Sequence, residues 1–174
     1  MVMSSSVRLW LAPSVVLITS LAIWGVLRYP HLPDRIPEHI GSDGVDAWTD
    51  RSVGSAFALV FVYAGVTLLL AGVAELTLRA ARRAELPDGG AVPSAGGESP
   101  PWRVKRPLTR ASALRNARAL LVLNACVGIS FLVGCGVLWR SAPVREVSGW
   151  LFAAMLAPIL AGTAVTVAAA VRGR

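Results

Sequence analysis

An all-α integral membrane protein is the fold class the sequence predicts: a four-helix transmembrane bundle with both termini on the cytoplasmic side (N-in/C-in). Three observations carry this reading. Of 174 residues, 55% are hydrophobic and 16% charged, with a mean hydropathy of +0.60, too apolar for an ordinary soluble domain of this size. The apolar residues gather into four runs long enough to cross a bilayer, and the charges lie almost entirely between those runs. The 17 Lys and Arg residues fall unevenly on the connections. A soluble enzyme is disfavoured on this composition, and two cysteines with so much apolar residue fit neither a disulfide-stapled, a collagenous nor a disordered chain.

The first run, Leu9 to Leu27, is bracketed by Arg8 and Arg28 and spans about 28 Å as a helix, close to a hydrocarbon thickness. It is long for the apolar region of a signal peptide, and no small-x-small cleavage site follows it before Tyr29 and Pro30, so an uncleaved signal anchor is expected. The second run extends from Val53 to Leu78, the third from Ala119 to Trp139 and the fourth from Gly149 to Val171, each without an internal Lys or Arg. Between the second and third runs, residues 85–107 hold five prolines and four glycines with almost no large apolar side chain. This reads as a flexible cytoplasmic linker, too short for a core of its own. Thr109 to Arg118 then forms a basic, Ala-rich lead-in continuous with the third helix, its start marked by Pro107. The chain therefore divides into a first hairpin of spans (1–84, with an outer loop over 28–52), the linker (85–107) and a second hairpin of spans (108–174).

Basic residues flanking short loops resist translocation. Twelve of them fall at the N-terminus, between the second and third runs and at the C-terminus. Only Arg28, Arg35, Arg51, Arg140 and Arg145 fall on the other side. Both termini are thus expected in the cytoplasm. A formal charge of +7 and a pI near 11.0 follow from this topology, so nucleic acid is not an expected partner. The Arg79, Arg82, Arg83 cluster suits anionic headgroups. Trp10, Trp24, Trp48, Trp139 and Trp150 lie near the predicted ends of spans, as an interfacial aromatic belt requires.

The outer loop is not filler. Its 25 residues include three prolines, two histidines, five carboxylates and a tryptophan. Prolines at 30, 33 and 37 fix φ and push their predecessors towards extended backbone, and Asp43-Gly44 supplies a turn. Such a rigid polar loop on a small membrane protein is the expected recognition element.

The pattern Pro33-Asp34-x-Ile36-Pro37-x-His39, followed by Gly44-x-Asp46-x-Trp48-x-x-Arg51 directly after a first transmembrane helix, resembles an uncharacterised bacterial membrane domain. That domain stands at the N-terminus of SdpI-like proteins, which are associated with immunity to a secreted peptide toxin and with membrane sequestration of a transcriptional repressor. The resemblance covers about 23 residues and the hydropathy pattern, and it implies an immunity or signalling role. Two departures stand out: Arg51 replaces the family's usual lysine, and the Asn- and Trp-containing motifs of the immunity proteins' C-terminal part are absent.

His31, Asp34, Glu38, His39, Asp43 and Asp46 bring imidazole and carboxylate together within 16 residues, a donor set that suits zinc. No spacing matches a known zinc motif, so no metal or other cofactor is expected. His39 and Asp46 are the candidates if one binds, but they more simply brace the loop by hydrogen bonds. Asp46 and Arg51 are placed to pair across the loop, with Asp50 a competing partner. Nothing supplies a nucleophile or a phosphate loop, so no enzymatic activity is expected. Glu75, inside the second run, has Arg79 one turn later, which favours an i,i+4 pair over an ion path. Cys126 and Cys135 lie about 13 Å apart along one helix and cannot bridge. Small residues stripe the third helix (Asn124, Gly128, Ser130, Gly134, Gly136) and the fourth (Ala154, Pro158, Gly162, Thr166, Ala170), serving a packed bundle or a homodimer equally.

The expected protein is a multi-pass binding, signalling or immunity-type module of a bacterial cell membrane. Its partners would be the bilayer, an extracytoplasmic peptide or protein ligand, a cytoplasmic protein and, through the stripes, a further copy of the chain. A structural subunit of a transporter or envelope complex is the alternative, and an ion-linked transporter is a distant third because intramembrane polar groups are scarce.

Overall fold

The computed structural model describes residues 5–41, 44–84, 109–139 and 149–172, with the backbone alone described at residues 5, 6, 38–41, 44–46 and 84. The element order is α1 (Ser5–Arg28), a 3-10 turn (Tyr29–His31), β1 (Arg35–Gly41), β2 (Gly44–Asp50), a short α2 (Val53–Ala56), α3 (Ala58–Ala84), α4 (Arg110–Leu138) and α5 (Gly149–Val171). Four of the helices, α1, α3, α4 and α5, are long and apolar enough to cross a membrane. The chain is a multi-pass all-α membrane bundle, as the four runs predict. The structure adds an antiparallel β-hairpin within the outer loop, where the prolines predict only extended backbone. The linker 85–107, the turn at Asp43, Trp102 and the third loop lie outside the described residues.

The second run does not form one helix. Ser52 caps α2 by a reciprocal capping box with Ser55, and the chain turns at Phe57 before α3 begins. Conversely, the basic lead-in is helical throughout: Thr109 caps α4, its side chain accepting from the Ser112 amide. With 29 residues, α4 extends about 43 Å, more than the hydrocarbon needs, so its arginine-bearing first turns reach beyond the apolar layer.

α4 is the hub, packing against α1, α3 and α5. Its contacts with α1 and α3 form three layers. At the hairpin end Leu21, Leu32, Ile36, Ala56, Val60, Tyr63, Cys135 and Trp139 form one apolar core. At the other end Val7, Ala74, Leu78, Ala81, Ala113, Ala117 and Leu121 form a second. Between them lies a polar layer of Ser14, Thr67 and Asn124, all buried. The fourth-helix stripe packs on α4: a Cβ at Gly162 would stand 2.9 Å from Leu123 Cδ1 and 3.0 Å from Cys126 Cβ, and the Thr166 hydroxyl, which donates to the Gly162 carbonyl of its own helix at 2.9 Å, lies 3.4 Å from the Ala119 carbonyl. Gly162 and Thr166 therefore join two helices of one chain. Leucines such as Leu68, Leu69, Leu76 and Leu160 turn outward, towards lipid.

Glu75 pairs with Arg79 at 3.0 Å, as the i,i+4 spacing predicts. Cys126 and Cys135 are both free. Trp139 departs from the expected aromatic belt. It is 1% exposed and its indole N–H donates to the Ala56 carbonyl at 2.9 Å, so it is a core residue, while Trp10, Trp24 and Trp150 keep an outward surface.

Candidate functional site

Local chemistry at the end of α1 sets the direction of the hairpin. Pro30 enters the 3-10 turn near its start, and the His31 ring nitrogen lies 3.3 Å from the Leu27 carbonyl, one of the helix's terminal acceptors. Leu32 then turns into the core, 4% exposed, and the chain runs out as β1. Strand pairing places Arg35 opposite Asp50, Ile36 opposite Thr49 and Pro37 opposite Trp48. Alternation sends Ile36 inward, 0% exposed, and leaves Arg35, Pro37, Trp48 and Asp50 on the outer face. Further along, the register is irregular on either side of His39, which pairs with Ala47. Glu38 and Asp46 are passed over in the ladder, a pair of compensating bulges.

Arg51 closes the base of the hairpin. Its backbone N–H donates to the Asp34 carbonyl at 2.8 Å. Its guanidinium donates to the Leu32 carbonyl at 2.6 Å, lies 3.4 Å from the Asp34 carboxylate and sits 5.8 Å over the Tyr29 ring. Among the described side chains the carboxylate beside Arg51 is that of Asp34, a residue the spacing did not suggest, while the Asp46 side chain lies outside them. Asp50 pairs instead with Arg35 across the ladder, at 3.9 Å and fully in solvent. The physical reason is register: closing the strand pair brings residue 51 beside residue 34, a neighbour that spacing along the chain does not reveal. A forked guanidinium serves this position well, since it meets a carbonyl and a carboxylate at once while stacking on an aromatic ring.

Ile36 seats the hairpin in the apolar core that Trp139 also occupies. Besides its bond to Ala56, the indole meets Trp24 edge-on at 5.2 Å and Phe57 at 6.0 Å, and the Trp139 carbonyl accepts from Arg28 at 3.1 Å. Gly25 makes room for this packing: a Cβ there would stand 2.6 Å from the Phe57 ring and 2.8 Å from the Trp139 ring. Sequence reasoning assigned neither residue to the site. The usable signal was Gly25 next to Trp24, opposite a tryptophan that ends an apolar run.

The predicted recognition residues separate into two groups. Ile36 and Arg51 are used in folding. Pro33, Asp34, Pro37 and Trp48 keep solvent-facing surface, Trp48 being 43% exposed. The side chains of His39 and Asp46, and the surroundings of Gly44, lie outside the described residues. The backbone places His39 and Asp46 at the bulged part of the ladder. Among the described residues no group of three or more His, Cys, Asp or Glu is gathered for a metal ion.

A second polar constellation, which the sequence reading did not assemble, lies at mid-bundle. Asn124 of α4 donates to Ser14 of α1 at 2.8 Å and to Thr67 of α3 at 3.0 Å. One carboxamide thereby joins three helices. The Tyr63 hydroxyl is buried beside the Ser14 and Thr67 hydroxyls, without a hydrogen bond of good geometry to either. It lies over Gly128, where a Cβ would collide with the phenol.

No curated protein and no solved structure matches the chain. A family described as a domain of unknown function (DUF1648) matches residues 15–63, a segment that runs from α1 through the whole hairpin to Tyr63 in α3 and stops short of Asn124 and Trp139.

Proposed function

We propose that the protein is a non-catalytic binding or signalling module of a bacterial cytoplasmic membrane, with both termini inside and the hairpin presented outside as its recognition surface. The observation that carries this reading is the division of labour across the hairpin. Its inner side is committed to the bundle through Ile36 and Arg51, whereas its outer face carries Pro37 and a half-exposed Trp48 that lie outside the buried core. Rigid, partly exposed tryptophan beside proline is a favourable contact surface for a peptide or protein, because little side-chain entropy is lost on binding. The likeness of the loop motif to SdpI-like proteins supports an extracytoplasmic peptide as the ligand class and an immunity-type outcome. A cytoplasmic protein partner would then receive the signal on the arginine-rich side.

The test is affinity purification of tagged protein in mild detergent, comparing wild type with Trp48→Ala, His39→Ala and Ile36→Ala at equal expression. Trp48→Ala is expected to keep abundance and melting temperature and to lose a partner. Ile36→Ala is expected to cost about 2–4 kcal/mol of stability. If Trp48→Ala and His39→Ala retain every partner of the wild type, the recognition reading fails. The participation of Ile36 and Arg51 in packing favours a second reading, a structural subunit of a larger membrane complex, in which the motif fixes the fold. That reading predicts that Trp48→Ala lowers abundance before it alters any interaction.

A further inference from the structure

The end of the bundle opposite the hairpin carries a crevice that the recognition reading does not use. It is bounded by Ala111, Leu114, Arg115 and Arg118 of α4 and has a volume of about 440 Å³. Arg118 extends over the Trp10 ring of α1, 5.9 Å from its centre. Arg115 and Arg118 are both exposed, and no carboxylate among the described residues pairs with either. Glu75, at the same end, is bonded to Arg79. Two guanidinium groups therefore face a concave surface with no counter-charge from the described protein.

Depth decides what anion fits. Arg118 immediately precedes the apolar run that begins at Ala119, and Trp10 stands at the start of the apolar part of α1. Both mark the headgroup layer, where indole and long basic side chains gather. Ala111 and Leu114 give the crevice an apolar part beside the two arginines. An occupant with a negative head and a hydrocarbon body meets both parts at once, which a soluble anion does not. We infer that the crevice lined by Leu114, Arg115 and Arg118, with Trp10 packed against the Arg118 guanidinium beside it, is a binding site for the phosphate and upper acyl chain of an anionic phospholipid.

The experiment is native mass spectrometry of the full chain released from nanodiscs of phosphatidylglycerol and phosphatidylcholine in equal parts. Wild type is expected to retain phosphatidylglycerol in preference to phosphatidylcholine. Arg115→Gln with Arg118→Gln is expected to reduce that preference roughly ten- to thirtyfold, as two lost juxtamembrane charges imply. Arg82→Gln with Arg83→Gln removes the same charge at the same end and is expected to leave most of the preference in place. Equal losses in the two double variants, or no loss in the first, overturn the site. A measurement that leaves the arginines intact is quenching by brominated lipids, taken as the difference between wild type and Trp10→Phe. Brominated phosphatidylglycerol is expected to quench Trp10 more strongly than brominated phosphatidylcholine, and equal quenching overturns the proposal.

Discussion

Tyr63 places a hydroxyl at the centre of the bundle without a hydrogen-bond partner among the described residues, and Gly128 is the space that admits it. A buried hydroxyl beside Ser14 and Thr67 but without a well-formed hydrogen bond has lost water and regained little, at a cost of up to about 1–3 kcal/mol. Tyr63→Phe is therefore expected to be neutral or stabilising, by up to about 1 kcal/mol, in unfolding followed in detergent. Gly128→Ala drives a methyl group into the phenol and is expected to cost about 1–3 kcal/mol. The two substitutions touch, so the double variant is expected to be less destabilised than their sum. A clear loss of stability in Tyr63→Phe would show that the hydroxyl is bonded after all. Asn124, by contrast, satisfies two helices, and Asn124→Ala is expected to cost about 0.6–1.7 kcal/mol, the range of interhelical hydrogen bonds in membranes.

The hairpin is the element on which the proposed recognition depends. Arg51 holds it through a carbonyl, a carboxylate and an aromatic ring, but these contacts are not equal. The Asp34 side chain is 98% exposed, so its ion pair contributes little, well under about 1 kcal/mol. The bond to the Leu32 carbonyl and the stack on Tyr29 are partly shielded and matter more. Asp34→Asn is thus expected to leave hydrogen exchange of the strand amides unchanged. Arg51→Gln is expected to raise that exchange severalfold with little change in global melting. Equal effects of the two would mean that the ion pair is the real fastening. Part of this was legible in the sequence, since proline spacing requires extended backbone around residues 32–36. The strand pairing and the Asp34 partner were not. They arise from closure between residues 34 and 51, and local pattern carries no record of which of several nearby carboxylates closure will select.

For the whole molecule, hydropathy alone revealed the four spans, because length and composition decide what crosses a membrane. It did not reveal which faces meet. The small-residue stripes marked contact faces without naming their partners, and partners inside lipid are chosen by shape, as Gly162 on Leu123 and Gly25 under Trp139 show. Sidedness is the remaining global property, and the fold sharpens it. The hairpin end joins Arg28, Arg35 and Arg51 to the carboxylates of Asp34 and Asp50, while the far end holds Arg79, Arg82, Arg83, Arg115 and Arg118 with Glu75. A rule that counts Lys and Arg near span ends therefore predicts the hairpin outside. Cys135 is buried, and Cys126 is partly covered within the apolar length of α4, so new cysteines report the topology on the native background. Asp50→Cys is expected to react with a membrane-impermeant maleimide in sealed right-side-out vesicles, and Arg83→Cys to react only after the vesicles are opened. The reverse pattern would place Trp48 in the cytoplasm and end the case for recognition of an outside ligand, because the surface that remains exposed on the hairpin would then face the wrong compartment.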